Sequence, residues 1–111
     1  MDTGQERYQV IITEPAKKSY YEILEVLFDS YSPERFAQIA EELYSKPHEL
    51  EIMPERGALE PLLSGRKNQY RYLLYHRTKT MTIKIFYQVD QAEKKVYVAR
   101  FFPTEMNPEN L

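Results

Sequence analysis

The chain has 111 residues, of which 42% are hydrophobic and 29% charged, with 10 tyrosines, 5 phenylalanines and no cysteine. That is enough for one packed domain, too little for two, and too aromatic for wholesale disorder. Disulfides and thiolate metal sites are excluded, and no apolar run approaches the roughly 20 residues of a membrane helix. The opening Met1 to Arg7 lacks the apolar stretch of a signal peptide, so a soluble cytoplasmic protein is the expectation. A net charge of −2 conceals an asymmetry: residues 1–65 sum to −7, residues 66–101 to +7 and the last ten to −2. Such a split suggests one face that meets a polyanion, unless the two halves pair across the fold.

Tyr8 to Thr13 is a short β-rich run and reads as a strand buried on both faces. Thr13 then caps a helix that tolerates Pro15 in its first turn. Ala16, Tyr20, Ile23, Leu24, Leu27, Phe28 and Tyr31 form its apolar stripe, opposite Lys17, Lys18, Glu22, Glu25 and Asp29. Ser32-Pro33 starts a second helix with a stripe at Phe36, Ile39, Ala40, Leu43 and Tyr44, and Pro47 ends it. Residues 47–68 are too rich in proline and glycine for a long element, and Leu59, Leu62 and Leu63 are expected to pin them to the core. Gln69 to Arg77, Met81 to Val89 and Val96 to Phe102 read as three consecutive hairpin-linked strands. In the middle one Met81, Ile83, Ile85, Tyr87 and Val89 share one face, and Thr82, Lys84, Phe86 and Gln88 the other. The order β-α-α-β-β-β predicts an α+β domain: an antiparallel sheet packed against a helical hairpin, with the first strand at an edge or beside a partner strand. Ile23, Leu24, Leu27, Leu43, Ile83, Ile85 and Val98 are the expected core. Residues 1–7 are expected to be a flexible N-terminus, 8–102 the domain and 103–111 a tail.

Enzyme signatures are sparse. Gly4, Gly57 and Gly65 form no phosphate-cradling loop, and His48 and His76 have no metal-ligand spacing. No cofactor or metal is expected. His48 reads as a residue facing the helix dipole or solvent, and His76 as an exposed residue near a hairpin tip. The informative set is Arg66, Lys67, Arg71, Arg77, Lys79, Lys84 and Arg100, interleaved with Tyr70, Tyr72, Tyr75, Tyr87 and Tyr97. Cations neutralise phosphates and tyrosines offer stacking platforms, while strand alternation would make many of these a wet face and a packed face. Glu105, His76 or a lysine of depressed pKa are the proton acceptors the pattern offers, and no spacing singles one out.

Three stretches carry motifs of a known family. Tyr8-Gln9-Val10-Ile11-Ile12-Thr13-Glu14-Pro15-Ala16 resembles the strand, T-x-x-A, helix opening of the RelE/ParE toxin family. Pro61-Leu62-Leu63-Ser64-Gly65 followed by Tyr70-Arg71-Tyr72-Leu73-Leu74 resembles its L-x-G … Y-R approach to the central sheet. Ile83-Lys84-Ile85-Phe86-Tyr87-Gln88-Val89-Asp90 resembles its Y-R-I-I-Y-x-V-D strand. The resemblance spans residues 8–102 and agrees with the element order. It implies the toxin of a type II toxin–antitoxin (plasmid stabilisation) pair, with a cognate antitoxin as partner and room for a homodimer.

Within that resemblance ParE-like members bind DNA gyrase, and RelE-like members cleave messenger RNA on the ribosome. Arg71 falls on the first basic position of the RelE cleavage strand, and Leu73 replaces the second. Lys84 falls on a phosphate-binding arginine, a change from fork to point charge. The family's terminal arginine and catalytic tyrosine have no match in Phe101 to Pro108. The resemblance therefore implies catalytic roles for Arg71 and Lys84 if the chain is an endoribonuclease. It implies target contacts from Arg66, Lys67, Arg71, Tyr72, Arg77, Lys84 and Arg100 in either case. The expected function is a ParE-like toxin acting by binding, with a RelE-like ribonuclease or a toxin fold without toxicity as alternatives.

Overall fold

Thr13 shows how the first helix is fastened as well as started. Its hydroxyl accepts the Ala16 amide at 3.4 Å and donates to the Val98 carbonyl at 2.7 Å, joining the helix N-terminus to a strand 85 residues away. The computed structural model describes residues 6–63, 69–78 and 81–106. Strand β1 is Gln9–Ile12, helix α1 Glu14–Leu27 and helix α2 Pro33–Ser45. Ser32 caps α2 by accepting the Arg35 amide at 3.2 Å, and Pro33 occupies its first turn, as the sequence predicts. Strands β2 (Ala58–Leu59), β3 (Arg71–Thr78), β4 (Met81–Asp90) and β5 (Lys95–Met106) follow.

The five strands form one sheet in the order β1-β5-β4-β3-β2. All neighbours are antiparallel except β1, which lies parallel to β5. The α+β class and the element order are as expected, with the two-residue β2 added. Strand β5 continues through residues 103–106. In front of β1, Arg7 forms a bridge with Ile52. β1 is an edge strand of the described sheet and is half-buried to exposed, not buried on both faces as expected.

One face of the sheet is covered by the helices. Tyr20 donates to the Ala40 carbonyl at 2.7 Å and packs on Tyr44, while Phe28 meets Phe36, so the helix contacts run in opposite directions, as in an antiparallel hairpin. Ala16, Ile23, Leu27, Ile39 and Leu43 meet Ile83, Ile85, Val96, Val98 and Phe101 in the core. Leu24 is only half-buried, and Phe28 is 64% exposed at the helix corner. Ser19, buried inside α1, accepts the Phe101 amide at 2.9 Å beside an irregularity in the β4–β5 register.

Residues 46–63 are short helical turns and β2. Leu59 and Leu62 do not pin them: Leu59 is 49% and Leu62 90% exposed. The anchor is Tyr87. Its buried hydroxyl donates to the Pro54 carbonyl at 2.6 Å and accepts the Gly57 amide at 3.0 Å. Burial pushes the Tyr87 pKa up, partly offset by the Gly57 hydrogen bond. Gly57 has no room for a side chain, since a Cβ there would run into the Tyr87 hydroxyl and the Tyr72 carbonyl. Among the described residues no helix is long and apolar enough to cross a membrane.

Candidate binding site on the open sheet face

Side chains alternate along β3, β4 and β5, so every residue between two core positions points away from the helices. In β4 these are Thr82, Lys84, Phe86 and Gln88, all half-buried. The register sets Tyr72 opposite Phe86, Phe86 opposite Arg100, and Lys84 opposite Phe102. A break in the β4–β5 register, between Phe86↔Arg100 and Tyr87↔Val98, keeps Val98 in the core and still brings Arg100 to the open face. Lys84, Phe86, Ala99, Arg100 and Phe102, with Glu60, Leu62 and Tyr70 from the approach to β3, surround an open concavity of about 470 Å³.

Lys84 is held on three sides. Its ammonium donates to Glu60 Oε1 at 2.9 Å and sits 4.3 Å above the Tyr72 ring and 5.8 Å from the Phe86 ring. Glu60 Oε2 accepts the Leu62 amide at 3.1 Å, and the Glu60 side chain is only 3% exposed. The Lys84 hydrogen bond and then the Leu62 amide lower the Glu60 pKa, against the opposing effect of desolvation. Both carboxylate oxygens are thereby occupied. Arg100 lies 5.3 Å from the Phe102 ring and is exposed. Phe86 and Phe102 approach within 6.1 Å, and Phe102 is 41% exposed.

Of the residues singled out in the sequence, Tyr70, Lys84 and Arg100 line the concavity, and the Tyr72 ring lies against the Lys84 ammonium. Arg71 does not line it. It has the strand parity of Leu73 and Tyr75, and its Nη1 donates to the carbonyls of Gly57 at 2.7 Å and Glu55 at 3.1 Å. Tyr75 and Tyr87 are also turned inward, as buried core residues. Arg66, Lys67 and Lys79 lie outside the described residues, and for Arg77 the description is limited to its place on β3. His48 pairs loosely with Glu51 at 3.5 Å, and His76 is exposed with Nδ1 2.8 Å from the Thr82 hydroxyl. The Glu105 side chain is outside the described set. Among the described residues the ion pairs Lys84–Glu60 and Lys94–Glu6 join the basic segment to the acidic one, so the charge split is partly closed inside the fold.

Glu60, Leu62, Phe86 and Phe102 belong to the site and were not singled out. Their signal was present in part: alternation placed Phe86 beside Lys84, and Glu60 is a lone charge within Ala58-Leu59-Glu60-Pro61-Leu62-Leu63. Among the described residues no cluster of histidine and carboxylate groups could hold a metal.

The architecture is therefore that of a helix-backed sheet whose open face carries Tyr72, Lys84, Phe86, Arg100 and Phe102. No family model matches the chain, and no curated protein matches it. Among solved structures it is similar to a chain of the toxin–antitoxin complex RelBE2 from Mycobacterium tuberculosis. The likeness covers 92% of this chain and 97% of that one, at 18% identity and a TM-score of 0.48.

Proposed function

We propose that this chain is the toxin of a toxin–antitoxin pair, restrained by a small antitoxin and inhibiting growth by binding a macromolecular target through the open sheet face. Support for the class comes from the order and spacing of the three motif stretches between residues 8 and 90. DNA gyrase, the target that the ParE resemblance implies, is the first to test.

One observation favours binding over cleavage: both cations that the resemblance would assign to catalysis are committed within the chain. Arg71 holds the Glu55 and Gly57 carbonyls away from the open face, and Lys84 is neutralised by Glu60. In-line attack of a 2′-hydroxyl on phosphate needs a base, a proton donor for the leaving oxygen and cations to meet the developing charge. General acid–base groups contribute typically about 10²–10⁴-fold in rate. The ribonuclease reading keeps one observation of its own, the Glu60 carboxylate beside Lys84 in the concavity. Its lowered pKa and two occupied oxygens make it a weak, poorly accessible base.

The test is induction of the chain without its neighbouring gene. The expected result is arrested growth, messenger RNA with unchanged ends, loss of DNA supercoiling activity, and rescue by a co-expressed neighbour that co-purifies with the chain. Codon-phased cuts that vanish in Lys84→Ala would establish the ribonuclease instead. Normal growth would mean a toxin fold without toxicity.

A further inference from the structure

Among the described residues, the open-face concavity combines an apolar lining with very little uncommitted charge. Leu62 is 90% exposed and Phe102 41% exposed, and Phe86 and Ala99 lie along the same wall. Of the charged groups lining it, Lys84 and Glu60 neutralise each other at 2.9 Å. Arg100 is left, 5.3 Å from the Phe102 ring, with no carboxylate partner among the described residues. Large apolar side chains left wet around one unpaired guanidinium match a ligand with an apolar group beside a single carboxylate. A polyphosphate strand fits less well. It brings a charge at every nucleotide, has no aliphatic group for Leu62, and finds Lys84 already neutralised by Glu60.

Resting on the reading of the chain as a protein-binding toxin, we propose that this concavity seats an extended segment of a partner protein. The segment presents a leucine- or phenylalanine-sized side chain next to an aspartate or glutamate. The apolar side chain enters between Leu62, Phe86 and Phe102, and the carboxylate meets Arg100. Glu60 is the specificity determinant: by holding Lys84 it removes the second cation that a phosphate backbone would use.

Titration of the isotope-labelled full chain, followed by amide NMR, tests this with three probes. They are a capped hexapeptide with Phe-Asp at its centre, the same peptide with Phe-Lys, and the oligonucleotide decauridylate. The Phe-Asp peptide should shift the signals of Leu62, Phe86, Arg100 and Phe102, and bind about tenfold more tightly than the Phe-Lys peptide, the worth of one charge-assisted hydrogen bond. Arg100→Ala should abolish that preference while keeping a dispersed, folded spectrum. Glu60→Gln should raise affinity for decauridylate several-fold by freeing Lys84, and Glu60→Gln with Lys84→Met should remove the gain.

Equal binding of the two peptides, absence of localised shifts, or tighter binding of decauridylate than of the Phe-Asp peptide to the unsubstituted chain would each overturn the proposal. Its failure is separable from that of the toxin reading. Growth arrest by a chain that does not discriminate the peptides defeats the pocket assignment alone. Discrimination by a chain that leaves growth unaffected defeats the toxin reading alone.

Discussion

The two faces of the sheet are built from the same strands, yet they solve opposite problems. In β4, Met81, Ile83, Ile85 and Tyr87 are at most 1% exposed against the helices, while the intervening Thr82, Lys84, Phe86 and Gln88 are only half-buried. On the covered face the Tyr87 hydroxyl has two backbone partners, so burial leaves it satisfied. On the open face Lys84 is satisfied by Glu60, but Phe102 and Leu62 remain wet. The Tyr87 hydroxyl and Lys84 are thus each satisfied within the chain, whereas Phe102 and Leu62 have no cover. Exposed apolar side chains beside an arginine with no carboxylate partner among the described residues are what the proposed partner would cover.

Neighbouring residues of β4 give the sharpest way to break this contrast. Ile85→Ala, on the covered face, should lower unfolding free energy by about 2–5 kcal/mol, and Phe86→Ala, one residue on, by clearly less. Denaturant unfolding of the pair checks it, and equal losses would mean that the open face is packed like a core. Gly57→Ala comes next, at about 1–3 kcal/mol for overpacking against the Tyr87 hydroxyl and Tyr72 carbonyl. Arg71→Ala should follow, with about 1–2 kcal/mol lost with the Glu55 and Gly57 carbonyl bonds. Arg71→Lys should recover only part, because an ammonium does not reproduce the guanidinium fork. If Arg71→Ala melts like the unsubstituted chain and yet abolishes growth arrest, Arg71 belongs to the target surface after all.

Acid gives a smaller effect that is specific to the open face. Lys84 and the Leu62 amide hold the folded Glu60 pKa below the ordinary 4.5, so the unfolded chain takes up that proton first. The stabilisation is therefore complete above the unfolded value and is lost as pH falls through the folded one. Thermal unfolding of the unsubstituted chain and Glu60→Gln across the acid range should show a difference at neutral pH that shrinks on acidification. A difference that grows on acidification would reverse the assigned sign.

Periodicity made the covered face legible. The alternation of Met81 to Val89 and the spacing of Ala16, Tyr20, Ile23 and Leu27 specified which residues meet in the core, because burial imposes a strict period on both elements. The caps at Thr13 and Ser32 were legible for the same local reason. The two-residue β2 was not, since Ala58-Leu59 is too short to show any period. The outward turn of Leu59 and Leu62 was hidden too, because nothing in an isolated leucine says which side of a loop it takes. Arg71 and Arg100 read alike as basic residues of a basic segment. Strand parity separates Arg71 from Tyr72, but the β4–β5 register break beside Arg100 has no counterpart in composition, and it decides which face that arginine reaches. Glu60 became visible only through Lys84, 24 positions away, because the pair is made by tertiary structure.

The covered face makes the protein, and the open face is proposed to bind its target. Arg100→Ala combined with Phe102→Ala separates the two, read by thermal unfolding of the purified chain and by growth arrest on induction. Stability is expected to change by less than about 1 kcal/mol, as for surface substitutions, together with loss of growth arrest. A stable double variant that still arrests growth as fully as the unsubstituted chain would contradict that proposal.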